Sequence, residues 1–225
     1  SVTSFLHTLI TLIRKDIVAE LRGKEIITSI LSFAILTLVI FNFALRATPQ
    51  MILTLSPGML WISFIFAGIL GLTRIFVIEK EHGNLDGVLL SPASREAIYL
   101  GKMLSTLIFM LIAQSIILPL FSILFNVSLF KPMLILILVL TTIGFSSIGT
   151  LFSAIAINTK SREIMLPMLF VPIVIPIIIG AVISTGTIME GGNWPDIRQW
   201  VQLILVFDIL AFVFATLTFE QILQE

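Results

Sequence analysis

Residues 79–102 read EKEHGNLDGVLLSPASREAIYLGK and stand between two apolar runs, residues 58–78 and residues 103–125. Each run is long enough to cross the hydrocarbon core of a bilayer as a helix, which takes about 20 residues. The charged stretch is therefore predicted to connect two membrane spans. Because its charge predicts on which side of the membrane it lies, the other spans and connections can be placed relative to it.

The whole chain has the composition of a membrane protein. Hydrophobic residues make up 58% of it and charged residues only 12%, and its mean hydropathy is +1.14. Runs of spanning length cover residues 26–45, 58–78, 103–125, 133–157, 164–183 and 201–219. The short alternating segments of a membrane β-barrel are not seen. We predict an all-α, polytopic membrane protein with six transmembrane helices in a single domain, residues 1–225.

Lysine and arginine predict the orientation of these spans. Ten of them fall before the first span, around residues 79–102 and between the fourth and fifth spans, whereas three fall on the other side. Because positively charged loops stay in the cytoplasm, both termini and the 79–102 segment are predicted to be cytoplasmic.

Residues 4–22 are predicted to form an amphipathic helix on the membrane surface. Apolar residues recur there at helical spacing, and charged residues fall largely on another face. The apolar positions are Leu6, Leu9, Ile10, Ile13, Ile17 and Leu21. A positively charged lead-in that only fixes the topology is the alternative, and the two interpretations are compatible.

The first half of the charged stretch has the pattern of a short amphipathic helix. Asn84 can cap it, Leu85, Val88 and Leu89 then share one face, and Pro92 ends it. An apolar ridge of this kind fits a groove on a partner protein. The alternative is a helix that lies against lipid, but anionic headgroups favour basic residues. The three carboxylates in this half, Glu79, Glu81 and Asp86, argue against lipid.

The second half of the stretch is predicted to begin another helix. Ser94 can serve as its N-cap, with Glu96 in the first turn. This helix would continue through Tyr99 and Lys102 into the third span.

Two later spans carry patterns of their own. The fourth span presents a face of small residues that allows close helix packing, inside the bundle or against another subunit: Thr142, Ser146, Thr150 and Ala154. The fifth span contains Pro167, Pro172 and Pro176, which predict a kinked or broken helix. Such a helix either lines a cavity and bends during transport or is statically bent.

Three further features are predicted, two within spans and one in an outer loop. Asp208 is the only acid well inside a span, and we rank a structural role for it above a proton relay. Trp61 follows Pro57, which suits a helix start, so Trp61 is predicted to lie at the membrane interface. Residues 184–200 are predicted to be an irregular outer loop.

The sequence lacks the residues that several kinds of catalytic, metal-binding and ATP-binding sites require. There is no cysteine, and the two histidines, His7 and His82, both fall on the predicted cytoplasmic side. No catalytic or metal site is therefore predicted. The Gly-Lys-Ser/Thr pattern of a P-loop is absent too, so ATP hydrolysis is expected in a partner subunit and not in this chain. The net charge of zero gives no support for nucleic-acid binding.

The motifs together resemble a known family. The residues of the 79–102 segment that resemble the ATPase-docking segment of ABC-2-type permeases are Glu79, Glu81, Gly83, Leu85, Asp86, Val88, Leu89, Leu90 and Pro92, followed by Gly101 and Lys102. The stretch SPGMLW at 56–61 and the stretch KSRE at 160–163, which is followed by Leu166-Pro167, Pro172 and Pro176, narrow the resemblance. They are similar to the haem exporter protein B family (CcmB) of cytochrome c maturation.

The resemblance implies a permease subunit in the bacterial cytoplasmic (inner) membrane. Its implied partners are a CcmA-like ATPase that binds ATP, CcmC-like and CcmD-like membrane subunits, and a CcmE-like haem chaperone. Haem would be the ligand that the complex transports or hands on, although the sequence itself shows no haem site. The alternatives are an ABC-2-type exporter of lipid, polysaccharide or drug and, more remotely, a structural assembly subunit or an intramembrane enzyme.

Overall fold

A computed structural model describes residues 2–44, 48–75, 94–156 and 162–222. Every regular element in these ranges is an α-helix, as predicted. The helices are α1 (Val2–Gly23), α2 (Glu25–Ala44), α3 (Pro49–Ile75), α4 (Arg95–Phe125), α5 (Pro132–Ala156), α6 (Arg162–Met189) and α7 (Trp194–Ile222). The predicted docking residues, Glu79 to Pro92, lie outside the described residues.

Six of these helices, α2 to α7, are long enough and apolar enough to cross a membrane. The prediction of six spans preceded by an additional N-terminal helix is therefore confirmed. The helix α5 lies at the centre of the bundle, where it packs against α3, α4, α6 and α7. The helix α1 packs mainly on α4 and makes few contacts with α2, its neighbour in the chain.

The start of α4 follows the prediction. The side chain of Ser94 accepts a hydrogen bond from the backbone N–H of Ala97, and Glu96 lies in the first turn. The helix then continues unbroken through the third span to Phe125, where Asn126 adopts a left-handed conformation at φ 53°. The helix cap at Ser94 and the third span thus belong to one continuous helix, because no turn separates Arg95 from the span.

The prediction for the start of the second span was wrong. The helix α3 begins at Pro49, so Pro57 lies inside it rather than in its first turn. Trp61 lies inside the bundle rather than on its outer surface: it is only 2% exposed, and its Nε1 donates a hydrogen bond of 3.0 Å to Thr185 Oγ1. The sequence pattern did not distinguish the two possible starts, because Pro49 and Pro57 are both suited to the first turn of a helix.

The prediction of an irregular loop over residues 184–200 was also wrong. The helix α6 continues to Met189, and α7 already begins at Trp194. Gly191, at φ +91°, and the hydrogen bond from Gly192 N to Thr187 O end α6. The Asp196 carboxylate accepts a hydrogen bond from Asn193 N at the start of α7. The glycine pair and Trp194-Pro195 are therefore a C-cap and a helix start.

The fifth span runs without interruption through its three prolines, so α6 is not broken. Pro172 and Pro176 are exposed on the outside of the bundle, and Pro167 is half-buried. A bend of α6 during transport stays a prediction.

Candidate functional site at the start of α4

The first two turns of α4 follow directly after the predicted docking segment. They are also a buried part of the protein, since Ala97, Ile98, Tyr99 and Lys102 are each at most 5% exposed. Burial is unusual for a lysine, because its ammonium group must find a partner when water is removed. The contacts of these turns show what the helix start is attached to.

Tyr99 attaches α4 to α5 and α7. Its hydroxyl lies 3.1 Å from Ser147 O and 2.8 Å from Ser147 Oγ, both on α5. Its ring packs on Phe219 of α7, with 5.2 Å between the ring centroids. Both aromatic side chains are at most 1% exposed. The tyrosine therefore fixes the start of α4 against the central helix and the last helix at one point.

Lys102 attaches α4 to α1. Its Nζ donates a hydrogen bond of 3.0 Å to Asp16 Oδ1, and the two side chains are only 6% and 11% exposed. One residue earlier, Gly101 lies against Leu12, because a Cβ atom at that position would be 3.1 Å from Leu12 Cβ. An ion pair between partly dehydrated groups and a close backbone approach thus hold α1 on the start of α4.

The second acid of α1 also faces inward. Glu20 is 5% exposed, and its Oε1 accepts a hydrogen bond of 2.7 Å from Ile27 N in the first turn of α2. The carboxylate supplies an acceptor for a backbone donor that has no partner within the helix, and it lies at the positive end of the helix dipole. The helical pattern of residues 4–22 predicts Glu20 on the charged face, away from the apolar positions. Its spacing of four from Asp16 was the signal that both acids share one face.

The predicted small-residue face of the fourth span lies inside the bundle. Thr142, Ser146, Thr150 and Ala154 are each at most 3% exposed. Thr142 accepts a hydrogen bond of 3.0 Å from Gln114 Nε2 of α4. On the neighbouring face, Ser153 donates to Leu72 O of α3 at 2.9 Å. In the described part of the chain, this face therefore makes internal contacts.

Asp208 lies near the middle of α7 and is 7% exposed. Neither carboxyl oxygen has a hydrogen-bond partner among the described residues. The carboxyl group occupies the space over Gly144 of α5, where an added Cβ would overlap Oδ1. The structure does not bring Asp208 into contact with Tyr99 or Lys102. Asp208 thus belongs to the packing between α5 and α7 in mid-span rather than to the junction at the start of α4.

A small cavity lies between α3, α4, α5 and α6. Its lining includes Trp61, Met110, Gln114, Thr141 and Phe145. It has room for about one water molecule, and the Thr141 hydroxyl is buried without a partner in the described residues. A haem group does not fit in this cavity. Within the described ranges, His, Asp and Glu form no cluster of three that could hold a metal ion.

Comparison with known proteins gives a consistent set of similar sequences. The family model described as CcmB protein matches residues 7–224. Heme exporter protein B of Pseudomonas aeruginosa is 30% identical over 159 residues, which are 70% of this chain and 71% of that protein. The protein of the same name from Rhodobacter capsulatus is 27% identical over 66% of this chain and 69% of its own length. The Bradyrhizobium diazoefficiens protein of that name is 25% identical over 80% and 82%.

Gly144→Ala is expected to lower the free energy of unfolding by about 1–3 kcal/mol, because the added methyl group overlaps the Asp208 carboxyl group. Gly58→Ala is the matched control, since no atom lies within 4 Å of its Cβ position, and it should be neutral or stabilising. Unfolding of the detergent-solubilised protein measures both. Adding Asp208→Ala should relieve the cost of Gly144→Ala. Equal losses of stability in the Gly144→Ala and Gly58→Ala variants would contradict the assigned contact.

Lys102→Met is expected to lower the free energy of unfolding by about 3–5 kcal/mol, because it leaves the Asp16 carboxylate without its buried partner. The matched control is Lys15→Met. Lys15 lies 3.6 Å from the same carboxylate but is 41% exposed, so its loss should cost less than about 1 kcal/mol. The same unfolding assay distinguishes them. Similar costs for the two variants would show that burial of the Lys102 pair does not matter.

Proposed function

Because the chain belongs to the CcmB protein family, we propose that it is the membrane permease subunit of an ATP-driven haem export complex. The relatives named heme exporter protein B support this function. ATP hydrolysis takes place in a separate, CcmA-like subunit. The excess of lysine and arginine around the α1 end supports a location of both termini in the bacterial cytoplasm, with the spans in the inner membrane.

The ATPase subunit docks on residues 79–92, where the ridge of Leu85, Val88 and Leu89 enters a groove of the partner. The observation that carries this proposal is the buried junction at the start of α4. The docking segment leads within two residues of Pro92 to the Ser94 cap, and the first turns of the helix that begins there are fixed to α1, α5 and α7. A displacement of the segment would therefore be passed directly to α4, because the helix begins only two residues after Pro92.

The junction determines where that displacement goes. When the ATPase subunits close on ATP, the docking segment moves and α3 and α4 tilt against the rest of the bundle. Lys102 carries α1 along through Asp16. Tyr99 transmits force to α5 through Ser147 and to α7 through Phe219. Chemistry outside the membrane thereby changes the packing of helices within it.

The output of this motion is haem export or release of a haem-loaded, CcmE-like chaperone, with CcmC-like and CcmD-like subunits as membrane partners. In the conformation described here the cavity between α3, α4, α5 and α6 has room for about one water. Passage of haem through this subunit would thus require those helices to separate. Release of a chaperone requires only that force reach the outer ends of the spans.

Leu85→Asp combined with Leu89→Asp is expected to abolish co-purification of the ATPase subunit, because carboxylates replace the apolar ridge that enters the partner groove. The control is Ser91→Asp combined with Ala93→Asp, which adds the same charge to the same segment away from the ridge. Both variants are compared by affinity purification of the complex from membranes. Retention of the ATPase by the Leu85/Leu89 variant would disprove docking through the ridge.

A further inference from the structure

The two faces of α1 differ sharply in charge. Its two acids, Asp16 and Glu20, are turned into the protein, where Lys102 and the start of α2 use them. Arg14 and Arg22 are exposed, and so is Lys24 at the connection to α2. The exposed acids near α1 in the described residues are Glu25 at the start of α2 and Glu96 at the start of α4, and neither belongs to α1. The outward surface of α1 is therefore basic even though the helix as a whole contains acids.

The same outward surface carries an apolar stripe. Leu6 is 49% exposed, and Ile10 and Leu21 are each 63% exposed. Leu6 and Ile10 are about one turn apart and Leu21 is about four turns from Leu6, so the three side chains lie on one side of the helix. Arg14 follows along the edge of this stripe. An apolar stripe with Arg14 at its edge and Arg22 on the adjoining exposed face is the pattern of a helix that lies in the headgroup region of a membrane.

We propose that the outer face of α1 is a binding surface for anionic phospholipid of the surrounding membrane. The apolar stripe enters the acyl boundary, and Arg14 and Arg22 contact the lipid phosphates. Charge complementarity favours this occupant: each basic residue near an anionic membrane surface strengthens attraction about five-fold, and the two acids of α1 itself are turned into the protein. A neutral lipid offers the same apolar layer but no net charge for the arginines.

The inward contacts give lipid binding a consequence for the junction. The Asp16–Lys102 pair joins α1 to the start of α4, so a lipid-bound α1 anchors the helix that follows the docking segment. This consequence rests on the proposed function, whereas the lipid selectivity does not. The selectivity is therefore tested on the chain alone, without ATPase or haem.

The test uses the absence of cysteine in the chain. Val18→Cys places a fluorescent label at an exposed position of α1, one turn from both Arg14 and Arg22, in the full chain reconstituted into phosphatidylcholine vesicles. Quenching by nitroxide-labelled phosphatidylglycerol is compared with quenching by nitroxide-labelled phosphatidylcholine. We expect stronger quenching by phosphatidylglycerol, and this preference should weaken as salt is added.

Arg14→Gln combined with Arg22→Gln should lower the preference by at least about five-fold, the contribution of one basic residue. Arg198→Gln is the control, because Arg198 is exposed near the start of α7 and lies outside α1. Equal quenching by the two lipids in the unsubstituted background would overturn the proposal. An equal loss of preference in the Arg198 variant would overturn it as well, because the selectivity would then not belong to α1.

Discussion

The ion pair between Lys102 and Asp16 is the constraint on which the arrangement of this end of the molecule depends. A lysine that is 5% exposed in the first two turns of a long helix needs a carboxylate beside it, and Asp16 of α1 supplies one. The pair therefore fixes α1 across the start of α4 rather than along α2. It also turns the acidic face of α1 inward and leaves the basic and apolar faces outside.

The proposed coupling to an ATPase would use the same short region as its mechanical link. Ser94 starts the helix, Tyr99 binds α5 and α7, and Lys102 binds α1, all within nine residues. A docking segment followed by a flexible linker would lose the motion of its partner. A docking segment followed by a capped helix with buried contacts transmits it, because packed interfaces shift between discrete arrangements instead of deforming continuously.

Local features of the sequence were sufficient for the spans and for the start of α4. A long run of apolar residues usually crosses a membrane as an α-helix, and a serine followed by Arg-Glu is a local signal for the start of a helix. The predictions failed where two local signals competed, as for Pro49 and Pro57. They also failed over residues 184–200, where a loop was predicted but α6 continues to Met189 and ends at Gly191. The Asp16–Lys102 pair could not be read from the sequence, since its partners are 86 positions apart and one acid had several bases to choose from. The orphan carboxyl of Asp208 was visible in the sequence, but its position over Gly144 was not.

Distances between spin labels in the assembled complex test whether α1 and the start of α4 move as one body when the ATPase binds ATP. Cysteines at the exposed positions Ala19 and Glu96 report on that body, and Glu96 with the exposed Met168 of α6 reports on its movement against the bundle. ATP is expected to leave the first distance unchanged and to change the second. A change in the first distance, or no change in either, would contradict this expectation.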